Sequence, residues 1–331
     1  MQGSKIYANA IISARTGKLL TPDRIKRMLD AVSAVDAVRV LYECGYDESI
    51  IADRPQDIDM LIADETAKSV ALFVELCADR ALHDVVLKRF DYHNAKVFIK
   101  ARATGETETD ALYPFGLLPA GVIEAAVTSG DVRALYKGLG AAVDGLGRAE
   151  APTAREIDTA LDKAYYADVA VQAKRIGSLT LRNFYAVQAD VTRLTTVLRA
   201  RRLGFGAAET ESRLLPGGRL SPEAALSLLT ADAAGVNAVL AGTAYAPLAA
   251  PFVAAAGDGE ALADFERTAA QFVLAVLDKQ KDDLFTLTPV FYFLQRKLSD
   301  LKVVKLILTG KNYALDKAYL HEAVRRLYGE L

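Results

Sequence analysis

Apolar side chains recur along this chain at the spacing of a helix rather than that of a strand. Three long segments begin with charged residues and continue with an apolar face of helical period: Asp64–Leu82, Thr153–Lys174 and Glu260–Lys281. No segment alternates apolar and polar residues over several positions, as a half-buried strand would. The pattern therefore predicts an all-α protein. Close to the end of the sequence, a single apolar stripe at i, i+3, i+4, i+7 and i+8 is formed by Leu320, Ala323, Val324, Leu327 and Tyr328.

One helical pattern occurs four times. The end of Phe90–Gly105 (FDYHNAKVFIKARATG) is echoed at Ile11–Lys18, Val197–Gly204 and Val304–Lys311. Repeats that cannot bury their apolar faces alone stack side by side. The repeat predicts approximate units at residues 1–54, 55–150, 151–256 and 257–331. An aliphatic residue stands six positions before each repeated glycine, namely Ile11, Ile99, Leu198 and Val304.

A loop and a second helix start follow each repeated glycine. Thr21-Pro22 and Ser221-Pro222 combine a capping hydroxyl with a proline suited to the first helical position. Leu118-Pro119 is a weaker version, and Asp316 is the capping candidate in the last copy. A third element follows in three copies, at Val38–Tyr42, Val132–Tyr136 and Val236–Leu240. The fourth copy stops before this element, which leaves open whether it completes the first domain.

Composition narrows the classes of protein. The 331 residues are 52% hydrophobic and 25% charged, enough apolar material for a large core. The net charge of −2 argues against a protein that binds nucleic acid by neutralising phosphates. Two cysteines without a CxxC pattern indicate a reducing compartment. The uncharged run Ala233–Gly257 contains Pro247 and Pro251, so we interpret it as a buried helix followed by a loop rather than a membrane span.

No pattern in the sequence predicts a catalytic residue, a cofactor or a metal site. The pair Asp282-Asp283 resembles the start of a DDxxD diphosphate motif, but its third carboxylate is replaced by Thr286. The histidines lack metal-ligand spacing. His93 beside Asp91 suggests an acid–base pair, although a hydrogen bond at a helix N-terminus is the commoner role for such a pair.

Cations gather at the end of the first helix of each copy. One interpretation is that they complement the negative end of the helix dipole. The other is that the copies bring these ends together into a basic surface for an acidic partner. The candidates for partner binding are Lys100, Arg102, Arg199, Arg201 and Arg202.

Four stretches resemble the C subunits of the V/A-type (vacuolar/archaeal-type) rotary ATPases, a family that includes the d subunit of the eukaryotic vacuolar enzyme. The most specific is Asp91-Tyr-His-Asn94 with Lys100-Ala-Arg102, and Leu306–Lys311 is the second. Tyr7-Ala-Asn-Ala10 with Leu19-Leu20 and Leu320 with Leu327-Tyr328 extend the resemblance from near residue 5 to the end of the sequence.

The resemblance implies three similar helical domains in a pseudo-threefold, funnel-like arrangement. It also implies a non-catalytic rotor protein that links central-stalk subunits of the D and F type to the membrane proteolipid ring. Such a protein would transmit torque for ATP-coupled proton or sodium transport from the cytoplasmic side, peripheral to the membrane. Ring contacts would come from the apolar stretch Tyr113–Ile123, with Phe115 and Leu117, and from part of Tyr245–Phe252, unless these are buried in the repeat cores.

Two other classes of protein fit parts of the sequence. A helical-repeat adaptor outside a rotary complex would have the same repeats and would bind a peptide or a helix in a concave groove. An all-α enzyme of the prenyl-synthase kind would have the same helix content, but the incomplete aspartate motif argues against it.

Overall fold

The chain is all-α, as the sequence pattern predicted. A computed structural model describes residues 2–49, 51–105, 112–257 and 259–328, and over these residues it contains helices and no β-strand. The α-helices are α1 Gln2–Thr16, α2 Pro22–Asp30, α3 Ala34–Tyr42, α4 Pro55–Leu76, α5 Arg80–Thr104, α6 Ala120–Ser129, α7 Lys137–Arg148, α8 Ala154–Gln172, α9 Leu179–Leu203, α10 Ala207–Glu211, α11 Pro222–Ser227, α12 Ala233–Leu240, α13 Ala249–Gly257, α14 Gly259–Ala275, α15 Thr288–Asn312 and α16 Lys317–Tyr328. Single 3-10 turns occur at Val132–Ala134, Ala173–Arg175, Ala246–Leu248 and Asp278–Gln280.

Capping side chains mark the starts of the short helices α2 and α11 and of α16, at the positions that the sequence predicted. The Thr21 hydroxyl accepts the N–H of Arg24 at the start of α2, and the Ser221 hydroxyl accepts the N–H of Ala224 at the start of α11. Proline occupies the first position of both helices, where its missing N–H removes no helical hydrogen bond. At the start of α16, Asp316 accepts the N–H of Tyr319.

One compact unit combines the described residues of 1–78 with those of 277–331. Its central helix is α15, which packs against α1, α3, α4 and α16. Gly310 lets α16 come close, because a Cβ at this position would lie 2.7 Å from the Leu320 side chain. Tyr328 ends α16, and its side chain lies outside the described residues. The core includes Ile25, Met28, Leu41, Val304 and Ile307, none of which has any exposed surface.

The second compact unit is Asp79–Val276. In its first part, α5 packs against α6 and α8, and α7 packs on α8. In its second part, α9 packs against α13 and α14, and the Phe252 and Phe265 rings meet edge to face with centroids 5.8 Å apart. The boundaries predicted for the repeat units, and their arrangement as three similar domains, stay predictions.

Three predicted elements differ from the structure. Asp64–Leu82 is not one helix, because the Asp79 carboxylate accepts the N–H groups of Ala81 and Leu82 and starts α5 there. Val132–Tyr136 is a 3-10 turn followed by extended residues rather than a short α-helix. The second half of Ala233–Gly257 is helical rather than a loop. Pro251 falls in the first turn of α13, where no intrahelical N–H bond is needed.

Within the described ranges, no helix combines the length and the apolar character needed to cross a bilayer.

Candidate functional site

His93 and Asp91, which the sequence suggested as an acid–base pair or a helix N-terminal pair, both lie within α5. Asp91 lies near the middle of α5 and is fully buried, so the interpretation as a helix N-terminal pair was wrong. The His93 ring packs against the Tyr113 ring with centroids 4.7 Å apart. Across the residues that the structure describes, no cluster of His, Cys, Asp and Glu side chains has the geometry of a metal site.

Asp91 holds a loop. Its carboxylate accepts the backbone N–H of Leu117 at 3.3 Å and that of Leu118 at 3.2 Å, immediately before α6. One turn further along α5, the buried Asn94 amide donates to the carbonyl of Tyr113 and accepts its N–H, both at 2.9 Å. Two side chains of α5 therefore fix both ends of the loop 113–118.

A second buried carboxylate makes the same contact on α9. Asp190 accepts the N–H of Arg219 at 2.7 Å and that of Leu220 at 3.0 Å, immediately before α11. The Tyr245 hydroxyl donates a short hydrogen bond to the same carboxylate. Arg193, one turn along α9, donates to the carbonyls of Leu215 and Gly217. It therefore fixes the first part of this loop, as Asn94 fixes the first part of the loop 113–118.

A third copy of the contact lies in the unit that contains α15. Asp300 accepts the N–H of Leu20 at 2.9 Å, just before α2. The helices α5, α9 and α15 each have 25 residues, and each carries a single such aspartate near its middle. We call the three interactions the buried-carboxylate contacts, namely Asp91 with Leu117 and Leu118, Asp190 with Arg219 and Leu220, and Asp300 with Leu20.

Glycine allows the loop to approach the carboxylate in two of the three contacts. A Cβ on Gly116 would lie 2.1 Å from an oxygen of Asp91, and a Cβ on Gly218 would lie 2.1 Å from an oxygen of Asp190. Gly218 also has φ +80, a conformation that other residues adopt with strain. The corresponding position before Leu20 is Lys18, and among the described residues one backbone N–H reaches Asp300 instead of two.

Burial raises the pKa of the Asp91 and Asp300 carboxyls. It raises the pKa of the Asp91 carboxyl to about 7, although the N–H groups of Leu118 and Leu117 favour the charged form. It raises the pKa of the Asp300 carboxyl to about 6, against the N–H of Leu20 and the nearby Arg296 and Lys297. A cation packs over a tyrosine ring beside each of the two, with Lys88 4.4 Å from the Tyr136 centroid and Lys297 3.8 Å from that of Tyr46.

Three cations, each eleven residues after one of these aspartates, cap the short helix that follows the loop. Arg102 donates to the carbonyl of Val127 at 2.8 Å, and Arg201 donates to that of Leu228, the residue that follows α11, at 3.3 Å and to that of Ala231 at 2.6 Å. Lys311 donates to that of Leu29 at 2.9 Å. The last carbonyls of a helix have no intrahelical donor, and a cation there also meets the negative end of the dipole.

The other cations predicted to bind a partner also have contacts inside the second unit. Lys100 pairs with Asp158 of α8 at 2.7 Å, and Arg199 pairs with Glu266 of α14 at 2.7 Å. Arg202 donates to the carbonyl of Ala255 at 3.2 Å. Partner binding by Lys100, Arg102, Arg199, Arg201 and Arg202 stays a prediction.

The two apolar stretches predicted to face the ring differ in exposure. Phe115 and Leu117 are half-buried, and the Phe115 ring meets that of Phe90 with centroids 4.6 Å apart. Their contact with a ring stays a prediction. In Tyr245–Phe252 the large side chains point into the core, since Tyr245, Leu248 and Phe252 are at most 3% exposed. Contact of a part of this stretch with a ring stays a prediction.

Sequence reasoning missed Asp190, Asp300 and the role of Asp91. The signal that could have found them is the constant interval of eleven residues between each aspartate and the cation that caps the next helix. The arrangement holds loops and helix ends in place.

Comparison with known proteins supplies the family. The family model described as "ATP synthase (C/AC39) subunit" matches residues 8–323. The V-type ATP synthase C subunit of Thermus thermophilus is 28% identical over 250 residues, covering 73% of this chain and 76% of that protein. The A-type ATP synthase C subunit of Methanothermobacter thermautotrophicus is 25% identical, covering 92% and 83%. The V-type sodium ATPase C subunit of Enterococcus hirae is 20% identical, covering 97% and 98%.

The glycine at the Asp190 contact gives a stability prediction. Gly218→Ala places a methyl group against the carboxylate and forces a positive φ on alanine, so we expect a loss of about 2–4 kcal/mol in the free energy of unfolding. Urea unfolding followed by circular dichroism measures it. The matched control is Gly121→Ala in α6, where a Cβ meets nothing within 4 Å and the change is neutral or stabilising. Equal stability of the two variants would contradict the proposed close approach.

The raised pKa of Asp91 gives a pH prediction. The folded protein keeps this proton where the unfolded chain, with its ordinary pKa near 4, has lost it. The stabilisation is therefore fully present below about pH 4 and disappears as the pH rises through about 7. Asp91→Asn should reduce the fall in unfolding free energy between about pH 5 and pH 8 by about 2 kcal/mol.

The control for this pH dependence is Asp131→Asn. Pairing with Arg133 lowers the pKa of the exposed Asp131 carboxyl to about 2, so its titration lies outside the tested range. Urea unfolding at both pH values compares the three proteins. An unchanged pH dependence in Asp91→Asn would show that this carboxyl does not titrate near neutrality.

Proposed function

Because the chain belongs to the ATP synthase (C/AC39) subunit family, we propose that it is the socket of the rotor in a V/A-type rotary ATPase. The members of this family are structural, non-catalytic parts of these complexes. In this proposal the protein receives the central stalk, of D and F type subunits, and sits on the membrane proteolipid ring. It lies on the cytoplasmic side, peripheral to the membrane, and transmits torque for ATP-coupled proton or sodium transport.

The observation that supports this role is the repetition of the buried-carboxylate contact on three long helices. A part that transmits torque must resist deformation under load. Each contact ties a loop to the middle of a 25-residue helix, and a cation further along the same helix caps the end of the following short helix. Loops are ordinarily the most mobile parts of a fold. Here they are fixed by hydrogen bonds to buried carboxyl groups, and breaking such a bond leaves a buried polar group without a partner, which is costly.

Copurification from the source organism separates this function from the helical-repeat adaptor. A rotor socket carries stalk and ring subunits through purification, whereas an adaptor outside a rotary complex carries neither. An affinity-tagged chain expressed in place of the untagged protein, followed by mass spectrometry of the bound proteins, is the measurement.

Ring contact by the loop 113–118 is tested by Leu117→Ser and by the double change Phe115→Ser with Leu117→Ser. We expect these variants to lose ring subunits in copurification and to keep stalk subunits, because the apolar contact area is removed. Met60→Ser replaces another exposed apolar side chain, 66% exposed, and should change nothing. Because Phe115 packs on Phe90, thermal unfolding of each variant must accompany the assay. A stable variant that remains on the ring would contradict the contact.

The basic surface is best tested with Lys100→Glu and Arg199→Glu. Both residues make surface ion pairs, which contribute at most about 1 kcal/mol to stability, so the fold should tolerate the change. If these cations attract an acidic stalk segment, the double variant should bind the stalk about tenfold more weakly at low salt and show less salt dependence. Arg102 and Arg201 are less suitable for this test, because reversing their charge also removes the caps of α6 and α11. Unchanged affinity at low salt would remove the basic surface from the proposal.

A further inference from the structure

A cavity opens between α8, α9 and the loop 215–219 of the second unit. Its volume is 400 Å³, within the range of about 300–1,000 Å³ that small-molecule sites occupy. About half of the residues in its wall are apolar and lack a polar side-chain atom. They are Val169, Ala170 and Ala173 from α8 and its end, Leu179, Ala186 and Ala189 from α9, and Gly217 from the loop. Tyr166, Asn183 and Tyr185 also line the cavity.

Of the described residues that line this cavity, three are cations and none is acidic. The cations are Lys174 after α8, Arg182 on α9 and Arg219 in the loop. Lys174 and Arg182 have no ion-pair partner among the residues that the structure describes, unlike Lys100 and Arg199 in the same unit. Unpaired cations beside an apolar wall complement a ligand with an anionic group joined to an apolar body.

The loop that carries Arg219 is held in place without a ligand. Its backbone N–H groups at Arg219 and Leu220 are bound by Asp190. The buried guanidinium of Arg193 binds the carbonyls of Leu215 and Gly217. The Arg219 guanidinium itself donates to the side-chain oxygen of Asn183 on α9. Because these contacts exist already, binding has little ordering cost.

We propose that this cavity binds one acidic phospholipid. Its phosphate lies among Lys174, Arg182 and Arg219, and the first part of its acyl chains lies against the alanine-rich wall. Inorganic phosphate would leave that wall in contact with water. A zwitterionic lipid carries a cationic group toward three cations. The inference does not depend on the proposed rotor function, since it concerns the isolated chain.

Calorimetric titration of the full chain with short-chain lipids below their micelle concentration tests the ligand class. Dihexanoyl-phosphatidylglycerol should bind, and dihexanoyl-phosphatidylcholine and inorganic phosphate should bind at least about tenfold more weakly. Equal binding of the phosphatidylcholine would overturn the role of the cations. Equal binding of inorganic phosphate would overturn the role of the apolar wall.

Variants then place the lipid in this cavity. Lys174→Glu and Arg182→Glu should each weaken binding of the phosphatidylglycerol about tenfold. Ala186→Leu, at a half-buried wall position, should fill the cavity and weaken binding as much while leaving the charges unchanged. Arg175→Glu is the matched control, because Arg175 follows Lys174 and is exposed but does not line the cavity. A loss in Arg175→Glu equal to that in Lys174→Glu, or no loss in Ala186→Leu, would show attraction to surface charge alone.

Discussion

A carboxylate buried in a helical core must be given hydrogen-bond donors, or it destabilises the fold. In this protein that requirement couples three long helices to three loops. Asp91 and Asp190 take their donors from the backbone of the loop that precedes the next short helix, and Asp300 does the same with the single N–H of Leu20. The start of each short helix therefore depends on a residue far away in the sequence. Gly116 and Gly218 allow these contacts to form, because at both positions only a residue without a Cβ leaves room for the carboxylate.

The cations at the ends of the long helices complete this arrangement. Arg102, Arg201 and Lys311 bind carbonyls at the ends of the helices whose starts the aspartates position, so each short helix is held at both ends by one long helix. These contacts account for the cations at the ends of the long helices. The protein as a whole is not basic, since its net charge is −2. Lys174 and Arg182, which lack an ion-pair partner among the described residues, lie beside an apolar cavity.

Local features were predictable from the sequence, and contacts across long intervals were not. Helical periodicity predicted the all-α class, and the hydroxyls of Thr21 and Ser221 marked helix starts, because capping depends on residues three positions apart. The partner of Asp300 could not be inferred, since Leu20 lies 280 residues away. The sequence marks Asp91 as a neighbour of His93, but its role depends on the position of the loop in space. Among the site residues, the sequence identified Arg102 and Arg201 as a group with a dipole role, and the structure specifies the carbonyls that they bind.

The unit that contains α15 is assembled from two segments separated by the whole of the other unit. During synthesis, the residues of 79–276 are made between them and can fold while the first segment still lacks its central helix. At about 5–20 residues per second, roughly 10–40 s pass between the emergence of residue 78 and that of residue 277. Throughout this time the apolar faces of α2 and α3 have no α15 to cover them. The order of translation thus leaves apolar surface of this unit uncovered during synthesis, whereas the residues of the other unit follow one another without interruption.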